Sequence, residues 1–97
     1  MDTQPLNETQ LEQALQGLNV AWSSIPGQGL VRVFDTGSFS AGVELIVHLA
    51  KIAEAQDHHP DVHLTPDDVE VILTTPSAGG VTEQDIQFAK IVDHQLT

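Results

Sequence analysis

The 97 residues leave room for one hydrophobic core and not two. Fourteen Asp and Glu face three Lys and Arg, for a net charge of -11 with the histidines neutral. That balance argues against direct binding to nucleic acid or to an anionic membrane, since both call for a basic patch. There is no cysteine, which excludes disulfides, thiolate metal sites and thiol nucleophiles together. The opening Met1-Asp2-Thr3-Gln4-Pro5 has neither the positive charge nor the apolar run of a signal peptide. No apolar stretch approaches the length of a membrane span. A cytoplasmic location is the expectation, and residues 1–5 read as a flexible lead-in to a single domain covering 1–97.

Asn7 reads as a helix N-cap. Gln10 completes a capping box, and Leu6 and Leu11 stand at the positions of a hydrophobic staple. Leu11, Ala14, Leu15 and Leu18 continue one apolar stripe, which Gly17 and Asn19 end. The run Val20-Ala21-Trp22 reads as a first strand. Ile25-Pro26-Gly27-Gln28-Gly29 is a turn by composition, and Leu30 to Phe34 a second strand, so the two form a hairpin. Residues 39–56 are the clearest helix, capped by Ser38 or Ser40. Val43, Ile46, Val47, Ala50 and Ala53 make one apolar face; Leu45, Leu49 and Ile52 make a second beside it. A small domain struggles to bury two faces, so the second stripe is expected to form an oligomer interface, with deeper burial as the alternative. Leu49→Asp should then dissociate the oligomer. Val62 and Leu64 alternate with polar neighbours, as do Val69, Val71 and Leu73, with a turn at Pro66-Asp67-Asp68. A loop at 76–80 leads to a last helix capped by Thr82 and Asp85, with Val81 and Ile86 as its staple. The order helix-strand-strand-helix-strand-strand-helix points to an α+β domain. Its architecture would be a four-stranded antiparallel sheet with three helices on one face.

His58-His59-Pro60 carries the densest chemistry. Proline biases the preceding residue away from the helical region, so the long helix stops and presents two imidazoles at its C-terminal end. The helix dipole, Asp57 and Asp61 favour the protonated form. Glu54, four residues before His58, shares its face if the helix lasts that far. The bland alternative is an exposed helix exit. His63 adds a further donor, but no zinc spacing is present, and no native metal is expected. Ser38 and Ser40 lack a nucleophile elbow. His48 reads as structural, His94 as terminal, and Trp22 as a core anchor.

Several segments together resemble the pterin-4a-carbinolamine dehydratase family: Glu54-x-x-x-His58-His59-Pro60-Asp61-Val62; Leu73-Thr74-Thr75; and Ala78-Gly79-Gly80-Val81-Thr82-x-x-Asp85. Trp22, Leu30-x-Arg32-x-Phe34 and Ala53-Glu54 extend the likeness over nearly the whole chain. The resemblance implies loss of water from 4a-hydroxytetrahydrobiopterin to give quinonoid dihydrobiopterin, without metal or cofactor, in pterin recycling. It implies His58 and His59 as acid, base and substrate contacts, with Glu54 orienting a histidine. Pro60, Thr75, Ala78 and Asp85 would help hold the pterin, in part through backbone groups. It also implies a homodimer or homotetramer. Two departures stand out. The third histidine usual after the Thr-Thr pair is Pro76, and the aromatic residue usual after the histidine pair is missing around Thr65-Pro66-Asp67. Whether His63 fills that space depends on which strand face it takes. The alternative is therefore a relative without catalysis that binds a protein partner. The resemblance offers two such types, a transcription dimerisation cofactor and a Rubisco assembly factor.

Overall fold

The structure, a computed structural model, describes residues 4–96; the first three residues of the expected lead-in lie outside it. Helix α1 (Glu8–Gln16) starts at the expected capping box. The Asn7 side chain accepts the Gln10 N–H at 2.8 Å, and the Gln10 side chain accepts the Asn7 N–H at 2.9 Å. Leu6 packs against the core, and its N–H donates to the Val81 carbonyl at 2.7 Å, tying the helix entry to the far end of the chain.

Strand β1 is Ser23–Ile25 rather than 20–22. Asn19 explains the difference. Its side chain accepts the Ala21 N–H and its carbonyl the Trp22 N–H, so residues 19–22 close into a turn with Val20 outside. Pro26-Gly27 then turns the hairpin, with Gly27 at φ 79 and the Gln28 N–H on the Ile25 carbonyl, the pairing that a type II turn takes. Strands β2 (Gly29–Asp35), β3 (Asp61–Leu64) and β4 (Asp68–Leu73) complete an antiparallel sheet of order β1-β2-β4-β3. Val69, Val71 and Leu73 face the helices, opposite Phe34, Arg32 and Leu30 of β2 in register.

Helix α2 (Phe39–Gln56) is capped by Ser38, whose hydroxyl accepts the Ala41 N–H. Its rotation buries the second stripe, the alternative to an interface there, and leaves part of the first open. Leu49 is 1% exposed and Ile52 and Ala53 are buried, whereas Val43 and Val47 are open to solvent, Val47 at 50%. Gly42 shows the cause. A Cβ there would come within 2.5 Å of a Leu64 methyl and 3.2 Å of a Val69 methyl, so the helix lies directly on the sheet at this turn. Leu45, Leu49 and Ile52 follow Gly42 around the same side. Leu49 therefore belongs to the core and not to an interface.

Helix α3 (Glu83–Leu96) buries Asp85, Ile86, Phe88, Ala89 and Val92. It is latched to β2 by a polar cluster. Arg32 sits on the helix side of the sheet and donates to Asp93 at 2.7 Å. Asp93 also accepts the Trp22 indole N–H at 2.7 Å and the Asn19 backbone N–H at 2.8 Å. The Arg32 guanidinium lies 4.2 Å from the Phe34 ring centre, close enough for a cation–π contribution. Among the described residues no helix is long and apolar enough to cross a membrane.

Candidate active site

The site begins where α2 ends. Asp57 takes the left-handed conformation, φ 50 and ψ 44, and its N–H and that of His58 both return to the Ala53 carbonyl. This is a tight helix termination of the kind usually given to glycine. It turns the chain so that the two adjacent imidazoles leave in opposite directions. His58 goes inward. Its side chain is 11% exposed, meets the Phe88 ring edge-on, and places Nε2 2.5 Å from Asp85 Oδ1. His59 stays outside, its Nε2 2.6 Å from Glu54 Oε2, with both side chains exposed. Glu54 thus pairs with His59 and not with His58, because the helix stops before the i,i+4 geometry reaches His58.

Asp85 is fully buried at the first turn of α3. One oxygen faces His58. The other accepts the Thr82 N–H at 2.9 Å and the Thr75 hydroxyl at 2.8 Å. Such a carboxylate is satisfied by protein donors without water. With Nε2 engaged by Asp85, His58 keeps Nδ1 for a reacting group, the usual division of labour of the two ring nitrogens. Asp85, expected among the residues that hold the pterin, has no exposed surface, and its side chain meets His58. Thr75, expected in the same group, lies beside it. It is buried, its hydroxyl is committed to Asp85, and its backbone N–H and carbonyl bond within the loop to Gly80 and Ala78.

The 3₁₀ turn Pro76–Ala78 follows, with Pro76 exposed at its first position and Ala78 half-buried. Pro76 lines a cavity of about 460 Å³ shared with the β1–β2 turn and Leu6, and no ionisable side chain lines it. A smaller hollow of about 180 Å³ adjoins the pair itself. His59 and Pro60 form its rim, with Ala50, Ala53 and Val62 as apolar wall. Of the histidine pair, His59 lines this hollow. His63 is exposed on the sheet face away from the helices, in register with Glu70, and so does not enter the site. His48 and His94 are also exposed, outside it. Among the described residues no three His, Asp or Glu side chains converge as a metal-ligand set.

A fully buried aspartate behind one imidazole and an exposed glutamate beside the next is an arrangement for moving protons. Comparison with known proteins gives the family of the chain. The family model for pterin 4 alpha carbinolamine dehydratase matches residues 4–95. The chain belongs to this family. It is similar to a Chloroflexus aggregans protein named "Putative pterin-4-alpha-carbinolamine dehydratase", 39% identical over 75 residues, covering 77% of this chain and 80% of that one. A Mycobacterium sp. (strain KMS) protein of the same name is 37% identical over 91 residues, 94% of this chain and 95% of that one. The fold matches the crystal structure of a transcriptional coactivator/pterin dehydratase from Brucella melitensis, with a TM-score of 0.83 and 33% identity. That match covers 93% of this chain and 96% of the other.

The polar network of the dehydratase-family site was only half visible in the residue order. The His58-His59-Pro60 signal and Asp85 were both apparent. The contact joining them was not, because it spans 27 residues of sequence and depends on the left-handed Asp57. The Arg32–Asp93–Trp22 cluster was missed outright. Its available signal was the alternation that puts Arg32 on the same side as Leu30 and Phe34.

Proposed function

We propose that the protein dehydrates a 4a-hydroxytetrahydropterin to the quinonoid dihydropterin. The observation that carries this reading is the pairing of an inward His58 with the buried Asp85 and of the adjacent His59 with Glu54, His59 lining an apolar hollow. In the reaction the C4a–O bond breaks. The hydroxyl leaves as water after taking a proton from a general acid, and a ring-nitrogen proton passes to a base. Histidine suits both tasks near neutral pH. Asp85 holds His58 with Nε2–H directed at the carboxylate, so that Nδ1 exchanges the proton. Glu54 does the same for the exposed His59. Pro60 and the apolar wall of the hollow offer a face for the planar ring, and Ala78 lies on the loop expected to hold its edge. Neither metal nor cofactor is part of this scheme.

The test is the dehydration rate of a synthetic 4a-hydroxytetrahydropterin with the wild type, His58→Ala and His59→Ala. The loss expected for His58→Ala is about 10²–10⁴-fold, the worth of one acid–base group. A His58→Ala rate equal to wild type would remove the assignment.

Pro76 favours a second reading. The family resemblance leads one to expect a third histidine there, and proline supplies no proton and no N–H. A relative that keeps the scaffold without turnover would act by binding a protein partner. The Brucella melitensis neighbour bears the words transcriptional coactivator beside pterin dehydratase. Self-association, as a homodimer or homotetramer, belongs to both readings. On this structure it would use the solvent-facing stripe of α2, Phe39, Val43 and Val47. Localisation in the cytoplasm remains part of the same proposal.

A further inference from the structure

We infer that Thr75 is a positioning residue that couples the 76–80 loop to His58. The inference rests on the proposed reading of the site and adds to it a group that touches no substrate. A threonine hydroxyl has one proton. Thr75 gives its proton to Asp85 Oδ2 at 2.8 Å, which leaves its oxygen to accept from the Thr82 hydroxyl 2.8 Å away, a shorter path than the 3.5 Å from Thr82 to Asp85 Oδ2 itself. The two hydroxyls form a directed chain, Thr82 to Thr75 to Asp85, and the other oxygen of Asp85 fixes His58 Nε2. Bonds in such a chain polarise one another.

The backbone of Thr75 does a separate job. Its N–H donates to the Gly80 carbonyl at 3.0 Å, and its own carbonyl accepts the Ala78 N–H at 2.9 Å. Those two bonds close the loop that starts at Pro76. Thr75 is thus where the loop closure and the Asp85–His58 pair share one residue. A shift of the loop, such as a ring settling against it would cause, moves the Thr75 hydroxyl and with it the orientation of Asp85 and the imidazole. The β-branched side chain keeps few χ1 rotamers open, so little of that motion is lost in side-chain freedom.

Thr75→Val keeps the shape and removes the hydroxyl; Thr75→Ser keeps the hydroxyl. Two readouts apply: kcat and KM for pterin dehydration, and the ring ¹⁵N resonances of His58 in the protein without substrate. Thr75→Val is expected to lower kcat by about 10–100-fold, the scale for groups that orient a working ligand from behind, with KM nearly unchanged. The His58 ring signals should move. Thr75→Ser should keep both near wild type. Unmoved His58 signals in a folded Thr75→Val protein would overturn the inference, as would a Thr75→Ser protein as impaired as the valine variant. If Thr75→Val does not fold, displaced His58 signals in Thr75→Ser overturn it, and wild-type signals there support it. If the wild type has no dehydratase activity, the proposed function fails while the resonance arm still decides the role of Thr75.

Discussion

His58 and His59 are neighbours in the chain with opposite energetic weight. The His59–Glu54 pair is exposed on both sides, and such pairs contribute little to stability. His59→Ala should therefore change unfolding free energy by no more than about 0.5 kcal/mol in urea. His58→Ala strips one of the donors from a fully buried carboxylate, which costs about 1–3 kcal/mol. A double alanine variant should lose stability as well as activity, because it leaves the buried Asp85 without its imidazole partner. Equal urea midpoints for the two single variants would contradict this asymmetry. The doublet itself was legible, because X-Pro restricts the preceding residue and the helix had to end near it. Which imidazole turns inward was not legible. That follows from the left-handed Asp57, a conformation that nothing in the order of side chains requires.

At the scale of elements, two contacts set how the helices lie on the sheet. Gly42 lets α2 approach β3 and β4, and Gly42→Ala should cost about 1–3 kcal/mol through overpacking against Leu64 and Val69. This is opposite to what helix propensity alone gives, since alanine is the better helix former by about 1 kcal/mol. A stabilised Gly42→Ala protein in thermal melts would show that the helix can lift. Asp93 is the second contact. Removing it leaves the Arg32 guanidinium and the Trp22 indole N–H without their partner in a largely buried place. Asp93→Ala is expected to destabilise by about 3–5 kcal/mol, read as a lowered melting temperature. The capping box of α1, the long helix and the alternating strands were all readable, because each rests on a local pattern of side chains. The rotation of α2 was not. Both of its stripes are apolar, and the deciding residue was the glycine on one of them, where a missing side chain carries the information. The first strand was displaced for a similar reason: Asn19 claims the backbone of the apolar Val20-Ala21-Trp22 run for a turn.

For the whole molecule, a −11 charge and an exposed apolar stripe on α2 pull in opposite directions. Repulsion favours separate chains; Phe39, Val43 and Val47 favour covering. Light scattering should find a mass above that of one chain, and Val47→Asp should lower it while the far-UV spectrum is kept. Leu49→Asp, by contrast, should unfold the domain, since it places a charge in the core. An unchanged mass for Val47→Asp would mean that this stripe is not the contact. The central claim is that two imidazoles at the end of α2 suffice for dehydration with proline at position 76. The measurement that tests it most directly is the rate of water loss from 4a-hydroxytetrahydropterin with wild type and Pro76→His side by side. The account predicts wild-type turnover above the spontaneous rate and a further rise with Pro76→His. A wild-type rate equal to the spontaneous one would contradict it, and recovery in Pro76→His would then show a preserved pocket whose turnover was lost at that one position.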